Sequence, residues 1–148
     1  MHCKQTFIRA GMLLALLLAL LLPAAAAASD YVVVVHPSNP VATLSRTETS
    51  RLFLRSSTQW ASGEHVKPVD LGKSSPIRAA FTKEVLRRSM GAIDQYWTQS
   101  VFSGRAVPPP EKRSDAEVLA YVRENPGAIG YVAAGVSTDG VKRVRVGD

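Results

Sequence analysis

Two short, nearly uninterrupted apolar runs, far apart in the chain, most constrain the fold. YVVVV occupies residues 31–35 and AIGYVA occupies residues 128–133. Both runs lack the polar alternation of a half-exposed strand, so each is predicted to form a strand that is buried on both faces. Segments with helical spacing lie between them, which requires crossover connections. The pattern therefore predicts a layered α/β domain with a mainly parallel or mixed sheet flanked by helices.

Four segments carry the start signals or the apolar spacing of helices. Ser45 with Glu48, and Ser114 with Glu117, are spaced as capping boxes, and each predicts a helix start. Ser75-Pro76 predicts another start, because proline is favoured at the first helical position. Two helices have apolar positions at helical spacing, which are Ile77, Ala80, Phe81 and Val85 in one and Ile93, Tyr96, Trp97 and Val101 in the other.

Two further segments are predicted to be strands. HVKPVDL, residues 65–71, is one of them, with Pro68 suited only to an edge or an end. KRVRV, residues 142–146, alternates and predicts a terminal edge strand. We expect loops elsewhere, namely a polar loop pinned by Trp60 and an extended, proline-rich loop at residues 103–112.

The first 28 residues have the features of a secretory signal peptide. Lys4 and Arg9 precede an unbroken apolar run at residues 12–22, and small residues follow as far as Ala28. The run is too short to span a bilayer comfortably, although a retained N-terminal anchor is the alternative. Cys3 precedes the apolar run, so we expect no lipid attachment. Cleavage near Ala28 would leave a periplasmic or secreted chain that does not span the membrane.

Residues 29–148 are predicted to form a single domain. They contain no cysteine, so the fold depends on its apolar core rather than on disulfides. The formal charge of the whole chain is +6, and it falls to +4 without Lys4 and Arg9. The basic residues are dispersed among acidic ones, whereas a nucleic-acid-binding stripe is denser and interleaved with aromatics. We expect no nucleic-acid partner, and a preference for anionic ligands or envelope surfaces stays open.

Sequence motifs of catalysis and metal binding are missing. The chain has no HExxH, CxxC or GxSxG, and His36 and His65 have no acid or thiol at a recognisable spacing. Gly127 and Gly130 follow a helix and lead into a strand, the reverse of a phosphate-cradling loop. We therefore interpret Gly127 as a turn residue and Gly130 as relief of crowding in the sheet. We expect no enzyme, cofactor or metal; a hydrolase or transferase would need a catalytic cluster assembled from distant residues.

DLGKSSPIR, residues 70–78, is the strongest candidate for a ligand site. It has the pattern of a strand end, a turn and a helix start at which Ser74 and Ser75 meet free backbone amides. Arg78 takes the third helical position, and the helix has no acid before Glu84. An exposed cation there costs roughly 0.3–1 kcal/mol against the helix dipole. A bound anion would reverse this penalty; alternatively Arg78 points into water, where screening makes it small.

Several segments together resemble the phosphate-binding proteins of ABC importers and, more closely, their short single-domain relatives. The resemblance runs from about Val32 to Ala134, and its most specific part is PGAIGYV at residues 126–132. The other segments are Leu44-Ser45, Leu52-Phe53-Leu54, Trp60 and the serine-rich helix start at Ser74-Ser75. The resemblance implies a single lobe of the type II periplasmic-binding-protein-like fold.

The resemblance also implies that phosphate or another small oxyanion binds at Ser74, Ser75 and Arg78. In that family one lobe contributes an arginine and then Ser-Gly-Thr at a helix N-terminus, and the two serines fall at that place. Pro76 stands where the motif would continue with a small or hydroxyl residue, and Asp70 lies near the place of a basic one. Asp70 would repel a phosphate dianion unless it faces elsewhere or accepts a phosphate proton.

Two functions are open at this point. The first is an exported, non-enzymatic solute-binding protein similar to those of phosphate ABC transporters. A single lobe would then offer an open anion site or need a partner to close it. The second is an envelope module that kept the fold, lost small-ligand binding and docks on an envelope or membrane protein. An exposed face such as the loop from Val107 to Pro110 would then make the contact.

Overall fold

The computed structural model describes residues 29–148, so the predicted signal peptide, residues 1–28, lies outside the described residues. In chain order the elements are β1 (Tyr31–Val35), β2 (Thr43–Ser45), α1 (Arg46–Phe53), β3 (Lys67–Pro68), β4 (Asp70–Leu71), α2 (Pro76–Glu84), α3 (Met90–Phe102), β5 (Glu111–Lys112), α4 (Asp115–Glu124), β6 (Ala128–Ala133) and β7 (Lys142–Gly147). None of the helices in this part of the chain is long and apolar enough to cross a membrane.

Five strands form a mixed sheet in the order β2-β7-β1-β6-β3, and the predicted α/β architecture is confirmed. β1 lies at its centre and runs antiparallel to β6 and β7, whereas β2 and β3 join the outer sides as parallel strands. The prediction that β7 is an edge strand was wrong. The three-residue strand β2 pairs with its outer side, and a strand this short leaves no recognisable pattern in the sequence.

The segment HVKPVDL forms two short strands rather than the predicted single strand. β3 pairs with β6 in the main sheet, whereas β4 pairs with β5 in a separate two-stranded sheet. The Val69 N–H still donates to β6 at 2.9 Å, and the next amide, that of Asp70, donates to the loop before β5 at 2.9 Å. Pro68 is tolerated because β3 is the edge of the sheet.

All four predicted helices are present, but only one of the two predicted capping boxes is complete. At Ser45 the capping box is complete, because the Ser45 N–H donates to Glu48 Oε2 at 2.8 Å and the Glu48 N–H donates to Ser45 Oγ at 3.1 Å. At Ser114 the side chain accepts from the Glu117 N–H at 3.2 Å. Glu117 Oε2, however, accepts from the Arg113 N–H at 2.9 Å. The second capping box is therefore only half formed.

The apolar helix residues lie in the core or are partly buried against it, as their spacing predicts, with one clear exception. Phe81 of α2 and Ile93 and Trp97 of α3 are buried, as are the inward-facing residues of α4. Val101 belongs to the same predicted face of α3, yet its side chain is 52% exposed. It lies in the last turn beside Phe102, which is 90% exposed. The end of α3 therefore presents apolar surface to solvent.

Two glycines of PGAIGYV are required by close packing, which confirms their structural interpretation. A Cβ atom on Gly130 would lie 2.8 Å from Cγ1 of Val69. Gly127 has a φ of 85°, and a Cβ atom there would collide with the His65 carbonyl oxygen. The Gly127 carbonyl also accepts a hydrogen bond of 2.9 Å from Trp60 Nε1. This contact fixes the polar loop that contains Trp60, as predicted.

Candidate functional site

The carboxyl ends of two parallel strands lie side by side, and each strand leads into a helix. β4 and β5 pair in parallel, with Asp70 opposite Glu111 and Leu71 opposite Lys112. The chain continues from β4 into α2 and from β5 into α4. Ligands of α/β sheets bind outside the carboxyl ends of the strands, where such helices begin. The chain thus brings two helix N-termini together at one place.

A cleft of about 710 Å³, here called the first cleft, lies between these two helix starts. It contains both predicted hydroxyl groups, those of Ser74 and Ser75, and the basic residues Lys112 and Arg113. The remaining lining residues are Leu71, Gly72, Pro76, Ile77, Glu111, Ser114 and Asp115. Lys112 Nζ lies over the Tyr121 ring, 5.3 Å from its centroid, so its charge is partly engaged there. Hydroxyl groups, helix N-termini and Arg113 on one concave surface suit an anion, whereas the carboxyl groups of Glu111 and Asp115 on the same surface oppose it.

Sequence reasoning missed the contribution of Lys112, Arg113 and Ser114. A signal was present, because basic residues and then serine occur at the end of each of two short strands. KSS, residues 73–75, follows the end of β4 after one intervening residue, and KRS, residues 112–114, begins at the last residue of β5. The signal becomes readable only once the strand pairing is known. Only the parallel pairing of β4 with β5 brings the two helix starts to the same edge.

The start of α2 combines two hydroxyl groups with a helix dipole that no acidic residue of its own first turn compensates. Ser75 is the N-cap, and its Oγ accepts from the Arg78 N–H at 3.3 Å while its own hydroxyl hydrogen stays available to donate. Ser74 is exposed beside it. Pro76 has no amide hydrogen, so the first turn offers one donor fewer than an ordinary helix start. The first turn of α2 contains no acidic residue.

Arg78, the third predicted site residue, is buried behind the lining of the first cleft. Only 2% of it is exposed. Nη1 donates to the Leu71 carbonyl at 2.8 Å and to Glu111 Oε1 at 2.7 Å, and Nη2 lies 3.5 Å from Asp70 Oδ2. The alternative that Arg78 points into water is therefore wrong. Two carboxyl groups of the protein itself face the guanidinium group.

Asp70 completes this buried network and faces away from the first cleft. Its Oδ1 accepts a short hydrogen bond from the Tyr131 hydroxyl group, which in turn accepts from the Leu71 N–H at 3.4 Å. Burial raises the pKa of Asp70 above its ordinary value, although Arg78 and Tyr131 act in the opposite direction. Burial also raises the pKa of Tyr131, so its hydroxyl group stays a donor. Asp70 thus belongs to the core beneath the cleft.

A second cleft, of about 470 Å³, lies on the other side of Glu111. Its lining residues are Lys73, Arg78, Asp94, Trp97, Thr98, Val101, Phe102, Pro108 and Glu111. Lys73 Nζ pairs with Asp94 Oδ1 at 2.7 Å, in an exposed ion pair between the loop before α2 and α3. Glu111 lines both clefts, whereas Arg78 lines only the second. The Glu111 side chain is therefore the wall between Arg78 and the first cleft.

The two histidines of the described chain do not join this site. His36 Nδ1 lies 2.7 Å from Ser38 Oγ in an exposed turn, and His65 forms an isolated bridge with Gln59. Neither ring lines the first or the second cleft. Residues 29–148 also contain no group of three or more His, Cys, Asp or Glu side chains placed to hold a metal ion.

Comparison with known proteins identifies the fold by structure rather than by sequence. No protein-family model matches the chain, and no curated protein matches it significantly. An ABC-type phosphate transport receptor from Vibrio cholerae superposes with a TM-score of 0.63 at 19% identity, over 79% of this chain and 46% of that protein. A protein from Clostridium perfringens, described as a phosphate ABC transporter substrate-binding protein with bound phosphate, gives 0.63 at 20% identity, over 79% and 44%. The PstS protein from Borrelia burgdorferi gives 0.61 at 11% identity, over 79% and 47%.

The described domain therefore has the fold of the periplasmic-binding-protein-like α/β proteins. The proteins from Vibrio cholerae and Clostridium perfringens are named for phosphate transport. The chain spans less than half of the length of each of them. A single lobe of this fold is what the sequence resemblance predicts.

Proposed function

We propose that the chain is an exported, non-enzymatic binding protein that holds phosphate or another small oxyanion in the first cleft. The observation that carries the proposal is the meeting of two helix N-termini with Ser74, Ser75, Lys112 and Arg113 on one concave surface. Each helix N-terminus acts as roughly half a positive charge and presents amide donors. The names of two of the comparison proteins agree with an anionic ligand of this size.

Each residue of the proposed site has a distinct role. Ser74 and Ser75 donate hydroxyl hydrogen bonds from the start of α2, and Arg113 supplies positive charge from the opposite wall. Lys112 would add its charge once its ammonium group turns from the Tyr121 ring toward the ligand. Arg78 supplies a third positive charge from behind the cleft lining. Hydrogen bonds to a charged group each contribute about 1.5–3 kcal/mol, so a few of them suffice for an open site of modest affinity.

Export and association with a transporter are part of the same proposal. The apolar run at residues 12–22, with Lys4 and Arg9 before it, supports export with cleavage near Ala28. The comparison proteins are more than twice as long as their matched part, so the counterpart of their remaining length lies outside the described residues. A second lobe placed against this one would close the first cleft over its ligand, as domain closure does around other small ligands.

Calorimetric titration with phosphate and with sulfate tests the site. We expect saturable heat with at least one of these anions, and binding at least roughly tenfold weaker in the double variant Ser74→Ala/Ser75→Ala, because two donors to a charged group are lost. Ser89→Ala is the matched control, since Ser89 caps α3 and lines neither cleft. Heat that does not saturate, or equal binding by the double variant and the control, would contradict the assignment of Ser74 and Ser75 to the site.

Docking on an envelope or membrane protein is the second candidate function, and one observation favours it. Val101, Phe102 and Val107, at the end of α3 and in the loop after it, are the large apolar residues that remain exposed in the described part of the chain. They lie at or next to the second cleft. Exposed apolar residues gathered in one place mark interaction sites more often than scattered ones do.

Capture from an envelope extract separates the two functions. A stoichiometric protein partner that is lost in Phe102→Ser, together with no response to phosphate or sulfate, would favour the docking function. Lys83→Ser is the control, because Lys83 is exposed on α2 and lines neither cleft. Saturable oxyanion binding with no partner that depends on Phe102 would favour the binding protein.

A further inference from the structure

The buried guanidinium group of Arg78 faces two carboxyl groups that differ sharply in how firmly they are held. The Asp70 side chain is 10% exposed and is also fixed by the Tyr131 hydroxyl group. The Glu111 side chain is 40% exposed. Within residues 29–148 its carboxylate accepts a hydrogen bond from Arg78 alone. Glu111 can therefore rotate into solvent without uncovering the core, whereas Asp70 cannot.

The strand pairing places the Glu111 carboxyl group next to that of Asp70, which weakens its hold on Arg78. Asp70 and Glu111 occupy paired positions of β4 and β5, so their carboxyl groups project from adjacent strands at the same level. Like charges at paired positions of neighbouring strands repel each other when both are ionised. Arg78 lies between them and compensates both. When Glu111 departs, Arg78 keeps Asp70 as a partner. An oxyanion with one negative charge in the place of Glu111 leaves the charge of the network unchanged, so exchange favours the singly charged form of phosphate over the dianion.

Glu111 also stands in the place where an oxyanion would have to bind to reach Arg78. It lines the first cleft, and its Oε1 lies 2.7 Å from Arg78 Nη1. A carboxylate and a phosphate present the same kind of oxygen acceptor to a guanidinium fork. Arg78 Nε is buried and has no hydrogen-bond partner within residues 29–148, so the cation has donor capacity that its present partners do not use.

We propose that Glu111 is a tethered competitor of the ligand, because an oxyanion in the first cleft displaces its carboxylate from Arg78. The proposal rests on the function proposed above and names the residue that sets the affinity of that site. Phosphate replaces Glu111 as the partner of Arg78, and the Glu111 side chain moves into solvent. The wall between the two clefts then opens, and Arg78 joins Ser74 and Ser75 in a single site.

Titration of the full chain with inorganic phosphate tests this exchange through two neutralising variants. Glu111→Gln keeps the shape and an acceptor oxygen but removes the charge that competes, so we expect roughly tenfold or more tighter binding. Asp115→Asn is the matched control, because Asp115 lines the same cleft but does not contact Arg78. We expect a gain of no more than about threefold there, from the general loss of negative charge.

A second measurement works on the unsubstituted chain. The Arg78 guanidinium NMR signals should shift as phosphate saturates the protein, because their partner changes. Equal or weaker binding by Glu111→Gln, equal gains in both variants, or phosphate binding that leaves the Arg78 signals unmoved would each overturn the exchange while leaving the proposed function intact. If neither variant nor the unsubstituted chain binds phosphate or sulfate, the proposed function fails and the exchange fails with it.

Discussion

The two helices that open on the first cleft begin in the same way but compensate their dipoles differently. Both have a serine N-cap whose oxygen accepts from the third helical amide. The first turn of α4 contains Asp115 and Glu117, whose negative charges suit the positive end of the helix. The first turn of α2 contains no acid and instead contains Arg78. Charge at the start of α4 is therefore balanced within the helix itself.

The start of α2 is balanced by carboxyl groups that reach it through tertiary structure. Asp70 comes from β4 and Glu111 from β5. Glu111 lies 33 residues after Arg78 in the chain. Compensation of this kind depends on the whole fold and can change without unfolding the helix. If the first cleft binds an anion as proposed, the comparison predicts that the start of α2 is the half that responds to it, whereas the start of α4 adds donors and fixed charge.

Removal of the Arg78 cation should have the largest effect on stability. Arg78→Met leaves Asp70 and Glu111 without their cation, and breaking a buried ion pair in this way costs about 3–5 kcal/mol. Arg113→Met at the start of α4 removes an exposed arginine and should change the free energy of unfolding by no more than about 0.5 kcal/mol. Urea unfolding of both variants measures the contrast. Similar losses in the two variants would show that the two helix starts do not differ.

The pH dependence of stability should sharpen the comparison on the α2 side. The folded-state pKa of Asp70 is raised above its unfolded value of about 3.9, so the folded state holds this proton more tightly. Its stabilising contribution is full below that value and is lost as the pH rises through the folded-state pKa. The stability of the protein minus that of Asp70→Asn should therefore fall with rising pH, by at most about 1.4 kcal/mol per pH unit.

The control for this pH prediction is Asp94→Asn, which neutralises an exposed carboxylate paired with Lys73. An exposed ion pair of this kind contributes roughly 0–1 kcal/mol, so the difference in stability between the protein and this variant should stay within that range. A difference between the protein and Asp70→Asn that stays flat, or that rises with pH, would mean that burial does not dominate at Asp70.

Loss of the serine caps should give the smallest contrast. Ser75→Ala and Ser114→Ala each remove one N-cap acceptor, which costs about 1 kcal/mol of stability on average. We expect the loss to be larger for Ser75→Ala, because α2 has no acid in its first turn, whereas Asp115 and Glu117 still favour the start of α4. Thermal and urea unfolding of the pair measure the difference. A larger loss in Ser114→Ala would contradict the charge argument.

Local signals predicted the elements better than they predicted their partners. The helix starts at Ser45, Ser75 and Ser114 could be recognised because a cap acts on amides within one turn. The apolar run from Tyr31 to Val35 could be recognised because its last three residues are buried, and successive residues of a strand lie on opposite faces. The split of residues 65–71 into two strands could not, since it depends on which neighbours each residue pairs with.

The same limit applies to the candidate site. Ser74 and Ser75 line the first cleft, because the positions of a helix cap are set by the residues next to it. The burial of Arg78 could not be predicted, because one of its partners, Glu111, lies 33 residues away and becomes a neighbour only through the pairing of β5 with β4. An arginine at the third position of a helix looks the same in the sequence whether it faces water, a ligand or a carboxylate of its own chain.

The close approach at Gly130 has a consequence for how such proteins diverge. Gly127 and Gly130 serve packing within the main sheet and its helices, and neither lines the first cleft. Selection on PGAIGYV is therefore expected to come from packing in the fold, whereas under the proposed function selection on the serines and Glu111 would come from the ligand. The two sets of residues could then change independently, and a descendant of this chain could bind a different ligand while it keeps the PGAIGYV stretch.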